Sequence, residues 1–335
     1  MPIVEPVLVT GAGGFIGGHL CRRLAARGIS VRGMVRRPEQ APGLWAEGVR
    51  PVVGDLTRPQ DVREAMAGCG TVIHCAAWMG SPPSREAARA TNVGGTRLVA
   101  EAAAAHGVAR VVHLSSITVY GPTTADCITE DSPLWPLGWY RSTKIDAERE
   151  ICAARGLGVR VVVLRPGQVF GPGDRRLARR ALRWLRRGWP LVADGGRGVC
   201  HPVYVGNLAD AVLAACAPVP EGVYNVADGD VPWRMFLGAY AAAAGRRLRS
   251  APAWALRTAA ALAEVAAVLT RRPPLLSRAE VGYLVRRSHY STSRAREVLG
   301  WTPQVDLVTA LERTMAYLRQ TGWLREEGGR GSGRW

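Results

Sequence analysis

A chain of 335 residues, 47% hydrophobic and 21% charged, has ordinary globular composition and enough apolar content to bury a sizeable core, on the scale of about two domains. Seven scattered cysteines with no C-x-x-C pair exclude a disulfide framework and a zinc knuckle, and they point to a reducing, cytoplasmic setting. The net charge of +17 raises nucleic-acid binding, but no nucleic-acid module accompanies it, so that class is set aside.

The first residues, "MPIVEPVLVTGAGG", run straight into a strand and a glycine turn, without the basic start and apolar run of a signal peptide. The first half then alternates short β-branched runs with helical stretches. Strands are expected at residues 6–10, 30–35, 50–53, 71–76, 109–116 and 160–166, with helices at 16–27, 59–67, 86–106 and 141–155. Apolar strands separated by helices are βαβ units, so the expected fold class is α/β with a doubly wound parallel sheet. "GVYNVAD", residues 222–228, reads as a further strand returning to that sheet.

From Gly171 the character changes to a smaller, mostly helical region. The block "RRLARRALRWLRRG" from Arg175 to Gly188 places its arginines on one helical face, with Leu177, Ala181, Trp184 and Leu185 on the other. It reads as a solvated face, with an anionic lipid surface or a phosphorylated ligand as alternatives. The run at 253–270 carries Arg257 and Glu264 and falls short of the roughly 18 uncharged residues of a membrane span. It fits a pocket wall, a surface element near lipid, or plain core packing. The expected organisation is a nucleotide-binding domain over 1–170, its sheet completed by about 200–228, an interleaved substrate-binding region over 171–324, and a disordered tail over 325–335.

Between the first strand and helix, "VTGAGGFIGGHL" sets Gly11, Gly14 and Gly17 in G-x-x-G-x-x-G spacing. Such a turn lets the backbone approach a pyrophosphate at the helix N-terminus and lets helix and strand pack closely. An acid closing the second strand would bond the adenosine ribose and favour NAD. Val35 stands there instead, followed by Arg36 and Arg37, whose guanidinium forks suit a 2′-phosphate, so NADP(H) is preferred and NAD(H) stays open. Asp55, after the third strand, can accept from the adenine amino group or cap the approach to a helix.

Of 44 Lys+Arg residues, Lys144 is the sole lysine. Four positions before it, on the same helical face, stands Tyr140. A tyrosine exchanging protons near neutral pH needs its pKa brought below about 10, and a compact ammonium beside it favours the phenolate in a way a planar guanidinium does not. Ser116, at the end of the fifth strand, can hold a substrate oxygen at the edge where open parallel sheets bind ligands.

Taken together, "TGAGGFIG", "GDL", "HCAA", "TNVGGT", "LSSITVYG", "YRSTK" and "LRPGQVFGPGD" resemble, in order, the motifs of extended short-chain dehydrogenase/reductases, across most of residues 6–230. The resemblance implies a Rossmann fold, Tyr140 as catalytic acid/base, Lys144 as its partner and Ser116 as donor to the substrate oxygen. It further implies cofactor contacts at Phe15, Ile16, Leu56, Ala76, Asn92 and Pro166, beside the glycines, Tyr140 and Lys144, with His74 near the cofactor channel. "YRSTKIDAER", "HPVYVGNLADAV" and "YSTSRAREVLGWTPQV" are similar, more loosely, to the 3β-hydroxysteroid dehydrogenase-like branch. That branch implies interconversion of a hydroxyl and a ketone on a small hydrophobic, steroid-, isoprenoid- or polyketide-like substrate, with Trp78, Trp135 and Trp139 as a candidate apolar face. The wider family implies homodimerisation through the Tyr/Lys helix, and peripheral membrane contact also stays open.

Two other readings stand beside it. A nucleotide-sugar epimerase uses the same fold and Tyr/Lys pair with bound NAD; Val35 weighs against it, while the basic helix would suit a diphosphate. A dehydratase would carry Asp-Glu after the catalytic hydroxyl, where this chain has Ile117 and Thr118. A non-catalytic NADP(H)-binding regulator is the remaining class, and the retained Tyr140 and Lys144 count against it.

Overall fold

The computed structural model describes residues 3–79, 85–123, 125–270 and 274–324. The expected tail, 325–335, lies outside them. Seven strands form one parallel sheet: β1 (Val7–Thr10), β2 (Val31–Val35), β3 (Arg50–Val53), β4 (Thr71–His74), β5 (Arg110–Leu114), β6 (Arg160–Pro166) and β7 (Gly222–Val226). Their order is β7-β6-β5-β4-β1-β2-β3, reversing direction on either side of β1 and β4 as in a doubly wound sheet.

The central strands are apolar and buried on both faces, which demands a helical cover on each side. The longer helices are α1 (Phe15–Ala25), α2 (Pro59–Met66), α3 (Gly95–Ala105), α4 (Trp139–Ala153), α5 (Arg175–Arg186), α6 (Val205–Cys216), α7 (Trp233–Ala243), α8 (Ala253–Thr270), α9 (Arg278–Val285) and α10 (Leu307–Gln320). One face of the sheet packs Val9, Val112 and Leu164 against Leu20 and Leu24 of α1 and Leu208 and Val212 of α6. The other packs Leu8, Val72 and Val111 against Val62 of α2, Val99 of α3 and Ile151 of α4. A separate aromatic core of Phe170, Tyr204, Phe236 and Tyr240 ties together α5, α7 and α10.

The expected strands appear in place, with two closing early. The run at 71–76 stops at His74 and that at 109–116 stops at Leu114, because the chain leaves the sheet there to cross its C-terminal edge. The expected helix at 86–106 is interrupted by a π turn, Ala90–Gly94. In α5 Ala178, Ala181, Leu182 and Leu185 are buried, with Leu177 and Trp184 of the expected stripe half-buried, and Asp174 caps the helix by accepting the N–H groups of Arg176 and Leu177. α8 departs from core packing, burying only Leu256 and Ala260.

Behind the sheet edge lies a buried ionic network. Arg165 on β6 donates to both carboxylate oxygens of Glu148 on α4, at 3.0 and 2.6 Å. It also donates to the Tyr120 hydroxyl at 2.8 Å and the Glu130 carbonyl at 3.1 Å. The Tyr120 hydroxyl donates to Asn225 Oδ1 on β7 at 2.7 Å, and the Asn225 N–H donates to Glu130 at 2.8 Å. Removing one partner of a buried pair strands the other charge, so Glu148→Ala should lower unfolding stability by about 3 to 5 kcal/mol. Urea unfolding followed by circular dichroism measures this, and a loss below about 1 kcal/mol, the level of an exposed pair, would contradict it.

Candidate active site

The glycine turn comes first in the chain. Gly11 takes a φ of +72°, a left-handed conformation that favours glycine, and the Gly14 N–H closes the turn by donating to the Gly11 carbonyl at 2.9 Å. A Cβ on Gly11 would stand 2.9 Å from the Ala76 backbone, and one on Gly17 would run into the Gly11 carbonyl. α1 begins at Phe15 with no side-chain cap and no acid in its first turn, so its N-terminal N–H groups and dipole face the sheet edge. These features fit the pyrophosphate of a dinucleotide.

Around this turn the expected residues divide. Gly11, Gly14, Phe15 and Gly17 form it, and Ala76 lies against it. The Phe15 ring packs within 3.4 Å of where a Gly173 Cβ would stand, joining the turn to the second region. The side chains of Ile16 and Leu56 turn instead into the two sheet-face cores. Asp55 follows β3, and one of its oxygens accepts the N–H and hydroxyl of Thr57, each at 2.8 Å. Burial works against its ionisation, but the Thr57 bonds, with Arg36 and Arg58, outweigh it and hold the carboxyl below its usual range. The Arg36 guanidinium lies 5.5 Å from the Trp78 ring centroid. Arg37 turns the other way, 3.9 Å from Glu39, and is not brought to the same place.

Asn92, expected at the cofactor, is held within the protein. Its amide donates to the Trp78 carbonyl and to Thr143 Oγ1, both at 3.1 Å, and its oxygen accepts the Trp78 N–H at 2.6 Å. Both donors are spent inside the protein, so Asn92 positions the segment after β4 against α4. His74 is held likewise. It is buried between Thr10 and Thr96, with a hydroxyl oxygen 2.8 and 2.9 Å from its two ring nitrogens, and burial pushes its pKa down to about 3. It is a neutral core histidine.

Ser116, at the C-terminal end of β5, is half-buried and caps a short 3-10 turn, Ile117–Tyr120. Its Oγ accepts the N–H and the hydroxyl of Thr118 at 3.2 and 3.1 Å, which leaves its own O–H to donate. The α4 residues Tyr140 and Lys144 lie over this edge, and Pro166 ends β6 beside it. Lys144 is 4% exposed and donates to the Leu114 carbonyl, the end of β5, at 2.7 Å. Burial lowers its pKa to about 8 against the supporting charge of Glu148, one turn on.

The expected depression of Tyr140 is absent. Burial pushes its pKa up to about 12; Arg176 pulls it down and Tyr283 adds to the rise, and neither belongs to the expected set. Trp139 packs edge-on against the Tyr140 ring, with centroids 5.6 Å apart. Tyr283, from α9, donates to the Thr118 carbonyl at 3.4 Å and so covers the Ser116 turn. Arg176 and Tyr283 carry no local motif; only the tertiary fold brings them to residues 116 and 140.

A strand end carrying Ser116, a phenol one helical turn from a buried amine, and a glycine turn facing them agree with the sequence comparisons. The model of the NAD dependent epimerase/dehydratase family matches residues 7–227. The chain belongs to that family. A ketoreductase of Stigmatella aurantiaca acting on a farnesylated dihydroquinoline oxide is 33% identical over 94% of this chain and 96% of its own. A 3-beta-hydroxysteroid dehydrogenase of Mycolicibacterium neoaurum is 30% identical over 93% and 90%. The solved structure of MoeE5 with UDP-glucose and NAD superposes with a TM-score of 0.75 at 28% identity, over 95% of this chain and 99% of that one. The resemblance, the fold class and the enzyme class read from the sequence are borne out in this family.

The tightest element of the site gives a direct test. Gly17→Ala should weaken NADPH and NADH binding at least about tenfold by forcing the turn open, read by titrating cofactor fluorescence. Unchanged affinity for both would remove the turn from the binding site.

Proposed function

We propose that this chain interconverts a hydroxyl and a ketone on a hydrophobic substrate with NADP(H), within the family whose curated relatives include ketoreductases and a hydroxysteroid dehydrogenase. The observation that carries the reading is the placement of two hydroxyl groups, Ser116 after β5 and Tyr140 on α4, at the sheet edge. Tyr140, with its pKa near 12, is a protonated phenol at neutral pH, and Ser116 keeps a free O–H beside it. Both are donors, the chemistry a carbonyl oxygen needs as it gains charge.

A bound nicotinamide supplies the hydride in one direction and accepts it in the other. In reduction Ser116 holds the carbonyl oxygen and Tyr140 gives it a proton. Burial disfavours the resulting phenolate, which takes a proton back from solvent to complete the turnover, and Lys144 stands one helical turn on along α4. Trp139, Trp78 and Tyr283 supply aromatic surface for an apolar substrate. Arg36 over Trp78, with Val35 in the acid position, favours a 2′-phosphate and hence NADP(H). The free thiols suit a reducing, cytoplasmic setting for this reaction, at or near a membrane surface.

One observation favours a second reading. Arg176, electrostatically coupled to Tyr140, would suit an anionic substrate such as a nucleoside diphosphate sugar, as in an epimerase.

Hydroxysteroids and other hydrophobic alcohols with NADP or NAD, and matching ketones with the reduced cofactors, should give a net nicotinamide absorbance change. Silence across that panel, with nucleotide sugars rearranged without net change, would move the assignment to the epimerase. Tyr140→Phe should cut turnover at least about a hundredfold while leaving cofactor affinity near normal, and Lys144→Arg should be badly impaired despite its retained charge. Arg36→Ala should weaken NADPH about tenfold or more and NADH little. Equal losses for both cofactors would reject the phosphate role.

A further inference from the structure

Among the described residues, α8 alone is long and apolar enough to cross a membrane by length and composition, yet it lies against the protein. Leu256 and Ala260 pack with Ala193, Leu276 and Val281. Outward, Trp254, Leu262, Val265, Val268 and Leu269 stand between 60% and 80% exposed. At helical spacing these five side chains fall within an arc of about 120°, so they form one continuous stripe. Leu275 extends it beyond the helix, 59% exposed.

At helical spacing the exposed Arg257 falls about 20° beyond Val268, at the border of the stripe. The exposed Arg246, Arg247 and Arg249 lead into α8. The neighbouring carboxylates are engaged: Asp194 accepts the Ala253 N–H at 2.8 Å, and Glu264 holds Arg278 at 2.7 Å.

We propose that this face docks on an anionic lipid surface, with α8 lying in the headgroup plane and its stripe among the upper acyl carbons. Arginines bordering an apolar stripe, on a chain of net charge +17, are complementary to that surface. A second copy fits less well. A helix of 18 residues, about 27 Å long and about 10 Å wide, offers about 270 Å², against about 800 Å² per partner in a standard interface. Pairing would also bring two arginine borders together. Spanning is opposed by the inner edge, which is committed to the protein. α8 packs on α9, which carries Tyr283, so docking sets that wall of the site beside the lipid phase. The docking surface stands whether or not the substrate is itself a lipid.

Flotation of the purified full chain with vesicles tests this. It should float with mixed phosphatidylcholine and phosphatidylglycerol vesicles, weakly with phosphatidylcholine alone, and less as salt rises. Leu262→Gln with Leu269→Gln, both exposed and outside the site, should cut the bound fraction about tenfold without changing turnover. No flotation with anionic vesicles, or equal flotation of the double variant, would overturn the proposal. So would sedimentation showing a dimer that the same two substitutions disperse, which would give the stripe to a second copy.

Discussion

The helix that carries Tyr140 and Lys144 is tied to the sheet by one buried ion pair, Arg165 with Glu148. Taking both ions out of water costs several kcal/mol each, and the pair survives there because neighbouring groups satisfy it. Glu148 comes from α4, the Tyr120 hydroxyl from the turn capped by Ser116, and the Glu130 carbonyl from the loop beyond. Asn225 continues the network onto β7 and to the Ser291 carbonyl at 3.2 Å. Tyr140, Lys144 and Glu148 recur at four-residue spacing on one face of α4. Anchoring the third of them to β6 sets the rotation of the helix, and with it the direction of the first two.

The same burial acts on Tyr140 and Lys144 in opposite directions. It raises the phenol and lowers the amine, so both groups are driven toward their uncharged forms. The site thereby disfavours isolated charge and suits a step in which a proton and a hydride arrive together on an apolar substrate. Arg176 is the exception, a cation beside the phenol from outside the sheet. The second region contributes that cation and Tyr283, so the candidate site closes only when both halves of the chain are in place.

Much of the fold was legible in the residues. β-branched runs between amphipathic stretches predict the seven strands, and the spacing of Gly11, Gly14 and Gly17 predicts the turn that the Ala76 backbone closes on. Ser116, Tyr140 and Lys144 also fall at one edge as their positions suggest. What pattern alone could not show was direction. Asn92 sits on the expected helix but spends its amide on Trp78 and Thr143, and Lys144 reaches for the Leu114 carbonyl rather than the phenol. Arg36 and Arg37 are adjacent in sequence, yet one lies over Trp78 and the other beside Glu39. Arg176 and Tyr283 were invisible because their partners lie far away in sequence. The exposure of α8 was hidden too, since an apolar run looks the same whether its outer face meets protein or not.

The burial of Lys144 reaches beyond the chemistry of the site. A chain whose every other cation is arginine has a single side-chain amine, and that amine is 4% exposed and tied to a strand end. Acylating reagents that decorate the surface of most proteins would find no lysine on this one while it is folded. Modification at Lys144 would then count openings of α4 from the sheet, making the residue a natural internal clock for that motion.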